Sequence, residues 1–86
     1  MPTYQLEVIT PQGPAYKGEV EHSLVPAEDG FVGVLANHAA YITSSPGGRF
    51  EVRERGGQEK KFRVGNGFFE VVGNHAIFLT QSFADL

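Results

Sequence analysis

Three histidines, the carboxylate pair Glu28-Asp29, the serine pair Ser44-Ser45 and the string Gly65-Asn66-Gly67 are the parts of this 86-residue chain that could do chemistry. A metal site needs His, Cys or carboxylate ligands at spacings that one element or hairpin brings to a point. His22, His38 and His75 have no such spacing, and there is no cysteine. Acid–base work needs carboxyls in a cleft with a raised pKa. Glu28 and Asp29 instead sit on the turn Pro26-Ala27-Glu28-Asp29-Gly30, which points them apart and into water. A serine nucleophile needs a strand–elbow–helix setting, and Ser44-Ser45 runs into Pro46. A phosphate loop must open a helix. Gly65-Asn66-Gly67 opens Phe68-Phe69-Glu70-Val71-Val72, which reads as a strand, so these glycines are expected in a hairpin turn. No catalytic, cofactor-binding or metal-binding residue is therefore expected. His22 falls on the apolar face of Val20, His22 and Leu24 and reads as half-buried. His75 adjoins a turn and reads as solvated, and His38 is open between a loop and an interface histidine.

What the chain offers instead is a docking surface. Residues 30–47 run from a short apolar strand, Phe31 to Leu35, into a small and polar corner, Ala36-Asn37-His38-Ala39-Ala40. A second strand-like piece, Tyr41 to Thr43, stops at Ser45-Pro46-Gly47-Gly48. Leu35, Tyr41 and Ile42 could form the buried centre of a contact, with Asn37 and His38 fixing its orientation.

Composition narrows the classes. Net charge is −3 with acids and bases interspersed, which excludes the basic stripe of a nucleic-acid binder. The basic set Arg53, Arg55, Lys60 and Lys61 interleaves with Glu51, Glu54 and Glu59 and reads as a salt-bridged, solvated sheet face. No apolar run approaches the ~20 residues of a membrane-spanning helix. Met1-Pro2-Thr3-Tyr4 lacks the basic-then-apolar order of a signal peptide. The expectation is a soluble cytoplasmic protein, reaching membrane machinery only through partners.

The fold that must position the corner is all-β. Period-2 alternation dominates: Tyr4, Leu6 and Val8 on one face, then Phe50 and Val52, Phe62 and Val64, and two apolar runs, Phe68 to Val72 and Ala76 to Thr80. Turn signals at regular intervals predict a two-layer antiparallel β-sandwich of about 8–10 short strands, one domain over residues 1–86. Side-chain faces also predict two registers. A three-residue loop, Gly56-Gly57-Gln58, pairs Arg55 with Glu59, Glu54 with Lys60, Val52 with Phe62 and Phe50 with Val64. A two-residue turn at Gly73-Asn74, of type II′ because Gly comes first, pairs Phe69 with Phe78 and Val71 with Ala76. Ala15 to Gly18 is expected as a short edge piece, and Ser82 to Leu86 as loosely ordered.

With these elements in place, nearly the whole chain resembles the N-terminal β-sandwich of the epsilon subunit of F-type ATP synthases. Its opening, Leu6-Glu7-Val8-Ile9-Thr10-Pro11, is similar to the family's Leu-x-Val-(Val/Ile)-(Ser/Thr)-Pro, and Tyr16-Lys17-Gly18 and Val20-Glu21 follow in family order. The strongest signature is Gly-x-x-Gly-(Ile/Val)-(Leu/Tyr)-x-x-His-Ala-Pro-x-(Ile/Leu)-Thr. Here it reads Gly30-Phe31-Val32-Gly33-Val34-Leu35-Ala36-Asn37-His38-Ala39-Ala40-Tyr41-Ile42-Thr43, followed by Pro46-Gly47 and later by Gly65-Asn66-Gly67-Phe68-Phe69-Glu70-Val71. Two departures stand out: Ala40 replaces the family proline, and Phe31 stands where an acid is frequent.

The resemblance implies a non-catalytic central-stalk subunit without cofactor, peripheral on the cytoplasmic face of an energy-transducing membrane, serving ATP synthesis coupled to hydrogen ion transport. It implies that His38, Ala39, Ala40, Tyr41, Ile42 and Thr43 meet the gamma subunit, and that Glu28, Asp29, Gly30 and Phe31 meet the rotor c ring. Family members usually continue into a helical hairpin that can restrain ATP hydrolysis and in some binds ATP. The sequence stops at Leu86, so no such inhibition is expected of it. The rival readings are a free-standing sandwich binding a small ligand or sugar in a groove, and a cupin-like enzyme, which the dispersed histidines oppose.

Overall fold

The alternation read above becomes nine strands in a computed structural model that describes residues 1–86. They are β1 (Tyr4–Thr10), β2 (Gly13–Ala27), β3 (Gly30–Leu35), β4 (Tyr41–Ser45), β5 (Gly48–Glu54), β6 (Glu59–Val64), β7 (Gly67–Val72), β8 (His75–Thr80) and β9 (Phe83–Asp85). The ladder runs β4-β7-β8-β1-β2-β5-β6-β9, with β3 also on β2. β2 belongs to both layers. Its first half pairs β1, and its second half lies between β3 and β5. One layer is thus β4-β7-β8-β1 and the start of β2; the other is β3-β2-β5-β6-β9.

The inward faces form one apolar core that includes Leu6, Val8, Val25, Phe50, Phe69 and Phe78. Phe78 is the hub. Its ring meets Phe50 of the opposite layer edge-to-face at 5.2 Å and Phe69 of its own layer at 5.9 Å, the geometry that the ring quadrupoles favour. Tyr4 crosses the layers as well. Its hydroxyl donates to the Val34 carbonyl at 3.0 Å and accepts from Ser23 Oγ at 2.6 Å. Burial pushes the phenol up to about 12. Tyr4→Phe leaves the buried Ser23 hydroxyl and the Val34 carbonyl without their partner, so denaturant titration is expected to show a loss of roughly 1–3 kcal/mol.

Several expectations hold and several are corrected. The β7–β8 register is as read, Phe69 opposite Phe78 and Val71 opposite Ala76. Its turn is type I′, however, because Gly73 and Asn74 both have positive φ, 57° and 59°. The β5–β6 loop has three residues but is shifted. Phe50 faces Phe62, Arg53 faces Glu59, and Arg55-Gly56-Gly57 form the loop. β2 pulls it there: Arg55 N donates to the Glu19 carbonyl at 3.1 Å, and Gly56 N to Glu21 Oε2 at 3.3 Å. The Glu54–Lys60 pair survives as a diagonal ion pair at 3.3 Å.

Not every pairing is antiparallel. β1 lies parallel to β8, locked at its start by Gln5 N on the Asn74 carbonyl at 3.0 Å. Ala15 to Gly18 is no separate edge piece but part of the long β2, paired with β1. Nor is the C-terminus loose. β9 pairs β6, and Phe83 packs on Phe62 with ring centroids 4.5 Å apart.

Gly65-Asn66-Gly67 is not a hairpin turn. β6 and β7 belong to different layers, and the string is a crossing between them. It is tied to the return crossing Gln81-Ser82 by Gly65 N on the Ser82 carbonyl and Gln81 N on the Asn66 carbonyl, both at 3.0 Å. A side chain on Gly67 would have its Cβ 1.8 Å from the Leu79 carbonyl oxygen.

Candidate functional site

The corner begins where β3 ends. His38 N donates to the Leu35 carbonyl at 3.2 Å, closing a turn through Asn37 at φ 66°, a left-handed position that asparagine tolerates better than most residues. Asn37 and Asn74 then clasp each other. Asn37 N donates to Asn74 Oδ1 at 2.6 Å, and Asn74 Nδ2 to Asn37 Oδ1 at 3.0 Å. The corner is thereby fastened to the β7–β8 turn.

Beyond the clasp, the His38 ring stands edge-on to Tyr41 at 5.8 Å, and its Nδ1 hydrogen-bonds the Ala39 carbonyl at 2.7 Å. Along β4 the pleat turns Tyr41 and Thr43 partly inward and leaves Ile42 66 % exposed; Ala39 and Ala40 are also exposed. Tyr41 packs on the core, so the corner is a rigid rim. Ile42 lines a shallow groove of about 340 Å³ with Ala40, Val71 and Val72.

The tip lies at the other end of β3. Glu28 and Asp29 form a two-residue loop between Ala27 and Gly30, which face each other in the ladder, and Gly30 has φ 118°. Ser44 Oγ donates to Glu28 Oε2, which fastens the tip to the end of β4. Phe31 is 58 % exposed. The six residues of β3 separate tip from corner by ~20 Å. The fold therefore presents two surfaces rather than one, with His38 to Thr43 on the first and Glu28 to Phe31 on the second.

The outer face of the first layer adds residues that sequence reasoning missed. Phe68, Val72 and Leu79 are exposed there, Phe68 opposite Leu79 and Ile42 opposite Glu70. The signal was the doubled apolar pairs Phe68-Phe69 and Val71-Val72, which place one greasy residue on each face of β7.

The candidates for chemistry stay apart. No group of three or more His, Cys, Asp or Glu side chains converges. His75 Nε2 meets Glu7 Oε2 at 2.7 Å on an exposed sheet face. His22 is not on the core face. A bulge at Glu21, between Val20 opposite Glu54 and His22 opposite Arg53, switches the alternation and sends Ser23 and Val25 inward instead. The His22 ring fills the space over Gly33, where a Cβ would be 3.2 Å from Nε2. The larger surface grooves, about 440 Å³ beside Thr10 and Phe68 and about 460 Å³ beside Tyr16 and Phe83, are open and hold no histidine.

On the acid side of neutrality two groups make stability depend on pH. Glu54 accepts from the Tyr16 hydroxyl at 2.6 Å; that bond first, and Lys60 after it, holds its carboxyl below the usual range. Burial, and then Arg53, holds His22 below the usual imidazole value. In both cases the unfolded chain binds the proton more readily, so the contribution is complete above the unfolded values, ~6.5 for His22 and ~4.3 for Glu54, and is lost as pH falls through the folded ones. Urea midpoints should therefore drop on acidification from neutral pH, and Tyr16→Phe should flatten the more acidic part of that drop.

The family model for the ATP synthase delta/epsilon chain β-sandwich domain matches residues 3–85. The chain belongs to the ATP synthase delta/epsilon family. The ATP synthase epsilon chain of Sulfurihydrogenibium sp. is 31 % identical over 83 residues, which are 96 % of this chain and 62 % of the relative. That of Persephonella marina is 35 % identical over 91 % of this chain and 57 % of its own length. The shorter epsilon chain of Chlorobium limicola is 33 % identical, covering 91 % of this chain and 89 % of the relative. The chain thus spans about three-fifths of the first two epsilon chains. Among solved structures, the Euglena gracilis mitochondrial ATP synthase OSCP/F1/c-ring assembly contains a chain with TM-score 0.90 at 20 % identity, matched over 96 % of this chain and 53 % of that one. The Tetrahymena thermophila mitochondrial ATP synthase central stalk/c-ring gives TM-score 0.79 at 12 % identity, over 94 % and 65 %. Identities this low carry the delta/epsilon sandwich fold and no more.

Proposed function

We propose that this chain is a non-catalytic central-stalk subunit of an F-type ATP synthase, peripheral to the membrane, joining the gamma subunit to the rotor c ring during proton-driven ATP synthesis. The observation that carries the reading is the family match over residues 3–85. The corner, His38 to Thr43, meets gamma through exposed Ile42 and its groove, with the asparagine clasp holding the rim in place. The tip, Glu28 to Phe31, meets the ring loops. A sandwich whose layers share one long strand suits a part that carries torque between two partners.

Co-elution with purified gamma subunit tests the corner. Ile42→Asp places a charge at the centre of the contact without touching the core, and is expected to weaken binding about a hundredfold, as a hot-spot loss does. His38→Asp should weaken it less. Both variants should melt like the parent chain. Binding unchanged in both would remove the corner from the gamma interface.

A further inference from the structure

The outer face of the β3-β2-β5-β6-β9 layer carries three cross-strand rows. In the first, Leu35 and His22 lead to Arg53 opposite Glu59; in the second, Gly33 and Leu24 lead to Glu51 opposite Lys61. Opposite charges face each other in both. The third row breaks the pattern, because Arg49 lies directly opposite Arg63, and Arg63 is next to Ala84 of β9. Like charges set opposite each other destabilise a ladder. Arg49 reaches only Glu51 of its own strand, at 3.5 Å and largely exposed, and no ion pair involves Arg63. Carried two residues beyond Leu24 opposite Glu51, the β2–β5 register brings Arg49 alongside Pro26, whose partner on β3 is the exposed Phe31.

We infer that Phe31, Arg49 and Arg63 form the seat of an acidic partner loop, whose carboxylate lies between the two guanidinium groups while its apolar part covers the Phe31 ring. The inference rests on the ring-facing reading of the tip, and adds that the ring loop meeting it carries a carboxylate. Guanidinium forks match a carboxylate bidentately, and an anion between two of them turns a repulsive pair into an attractive triplet. A single localised carboxylate fits better than a continuous anionic sheet of lipid, because Glu28 and Asp29 flank Phe31 and the chain as a whole is negative.

The test measures binding of the chain to detergent-solubilised c ring from the same source, at about 50 and 300 mM NaCl, where screening differs strongly. The double variant Arg49→Glu/Arg63→Glu should bind at least about tenfold more weakly at low salt, and the parent chain should itself weaken as salt rises. Arg49→Lys/Arg63→Lys should keep most of the affinity. Both arginines are exposed, so the variants should fold, with Arg63→Ala as the milder check by circular dichroism. If the double variant binds within about twofold of the parent while Phe31→Asp abolishes binding, the acidic-loop inference is overturned and the ring-facing tip stands. If the parent chain does not bind the ring at low salt, the tip reading fails and this inference with it. Preferential binding to vesicles with about 30 % phosphatidylglycerol, lost on charge reversal, would assign the seat to lipid phosphate and overturn the carboxylate.

Discussion

Gly67→Ala is expected to leave most of the chain unfolded at room temperature. The new methyl carbon would lie 1.8 Å from the Leu79 carbonyl oxygen and 2.8 Å from its carbon. Both are backbone atoms in the neighbouring strand, so no side chain can swing aside. Relief would require β7 and β8 to part at the Gly67–Thr80 step, where the crossings of the two layers are also tied together. Such a change belongs with the rare losses above ~4 kcal/mol. A domain of this size holds stability near the lower end of the ~5–15 kcal/mol range, so little would remain. Far-ultraviolet circular dichroism and urea titration measure it. Gly57→Ala is the control: it faces open space, and its positive φ of 95° costs only ~1–2 kcal/mol. Equal melting of the two variants would mean that the crossing yields more easily than its geometry indicates.

Phe78→Ala should be the next most damaging of the changes considered. The ring is fully buried and joins Phe50 and Phe69 across and along the layers. Truncation removes its transfer energy and leaves a cavity that neighbours on paired strands cannot fill, a combined loss of ~3–5 kcal/mol. Phe78→Leu keeps part of the volume and should cost clearly less. A shifted urea midpoint with an unchanged slope would show that stability alone has changed. A loss below ~1 kcal/mol would show that the ring is not the hub of the core.

What the sequence revealed was local, and what it hid was long-range. Phe69, Val71, Ala76 and Phe78 declared the β7–β8 register because all four must share one face across a two-residue turn. The same reasoning misplaced the β5–β6 loop by a step, since Glu19 and Glu21, more than thirty residues earlier in the chain, hold Arg55 and Gly56. The Glu21 bulge left no mark in the alternation, so His22 was assigned to the wrong face. Gly65-Asn66-Gly67 has the composition of a hairpin turn, and only the pairing of β6 with β5 and β9 makes it a crossing. At the candidate site, the place of Phe31 at the tip came from the family resemblance, while Leu35 and Ile42 as contact residues followed from pattern. The asparagine clasp did not, although an asparagine just past a strand and another in a Gly-Asn turn are both places where left-handed backbone is common.

The parallel seam between β1 and β8 has a consequence for biosynthesis. Gln5 faces His75 and Ile9 faces Leu79, so β1 waits for some seventy more residues before its second neighbour exists. At ~5–20 residues per second that interval is several seconds. Until then one border of the nascent β1–β2 hairpin carries open amide and carbonyl groups. Closing that seam is an event of high contact order, slow for a pairing within so few residues. A ribosome-bound intermediate should accordingly depend on holdase chaperones until β8 has emerged.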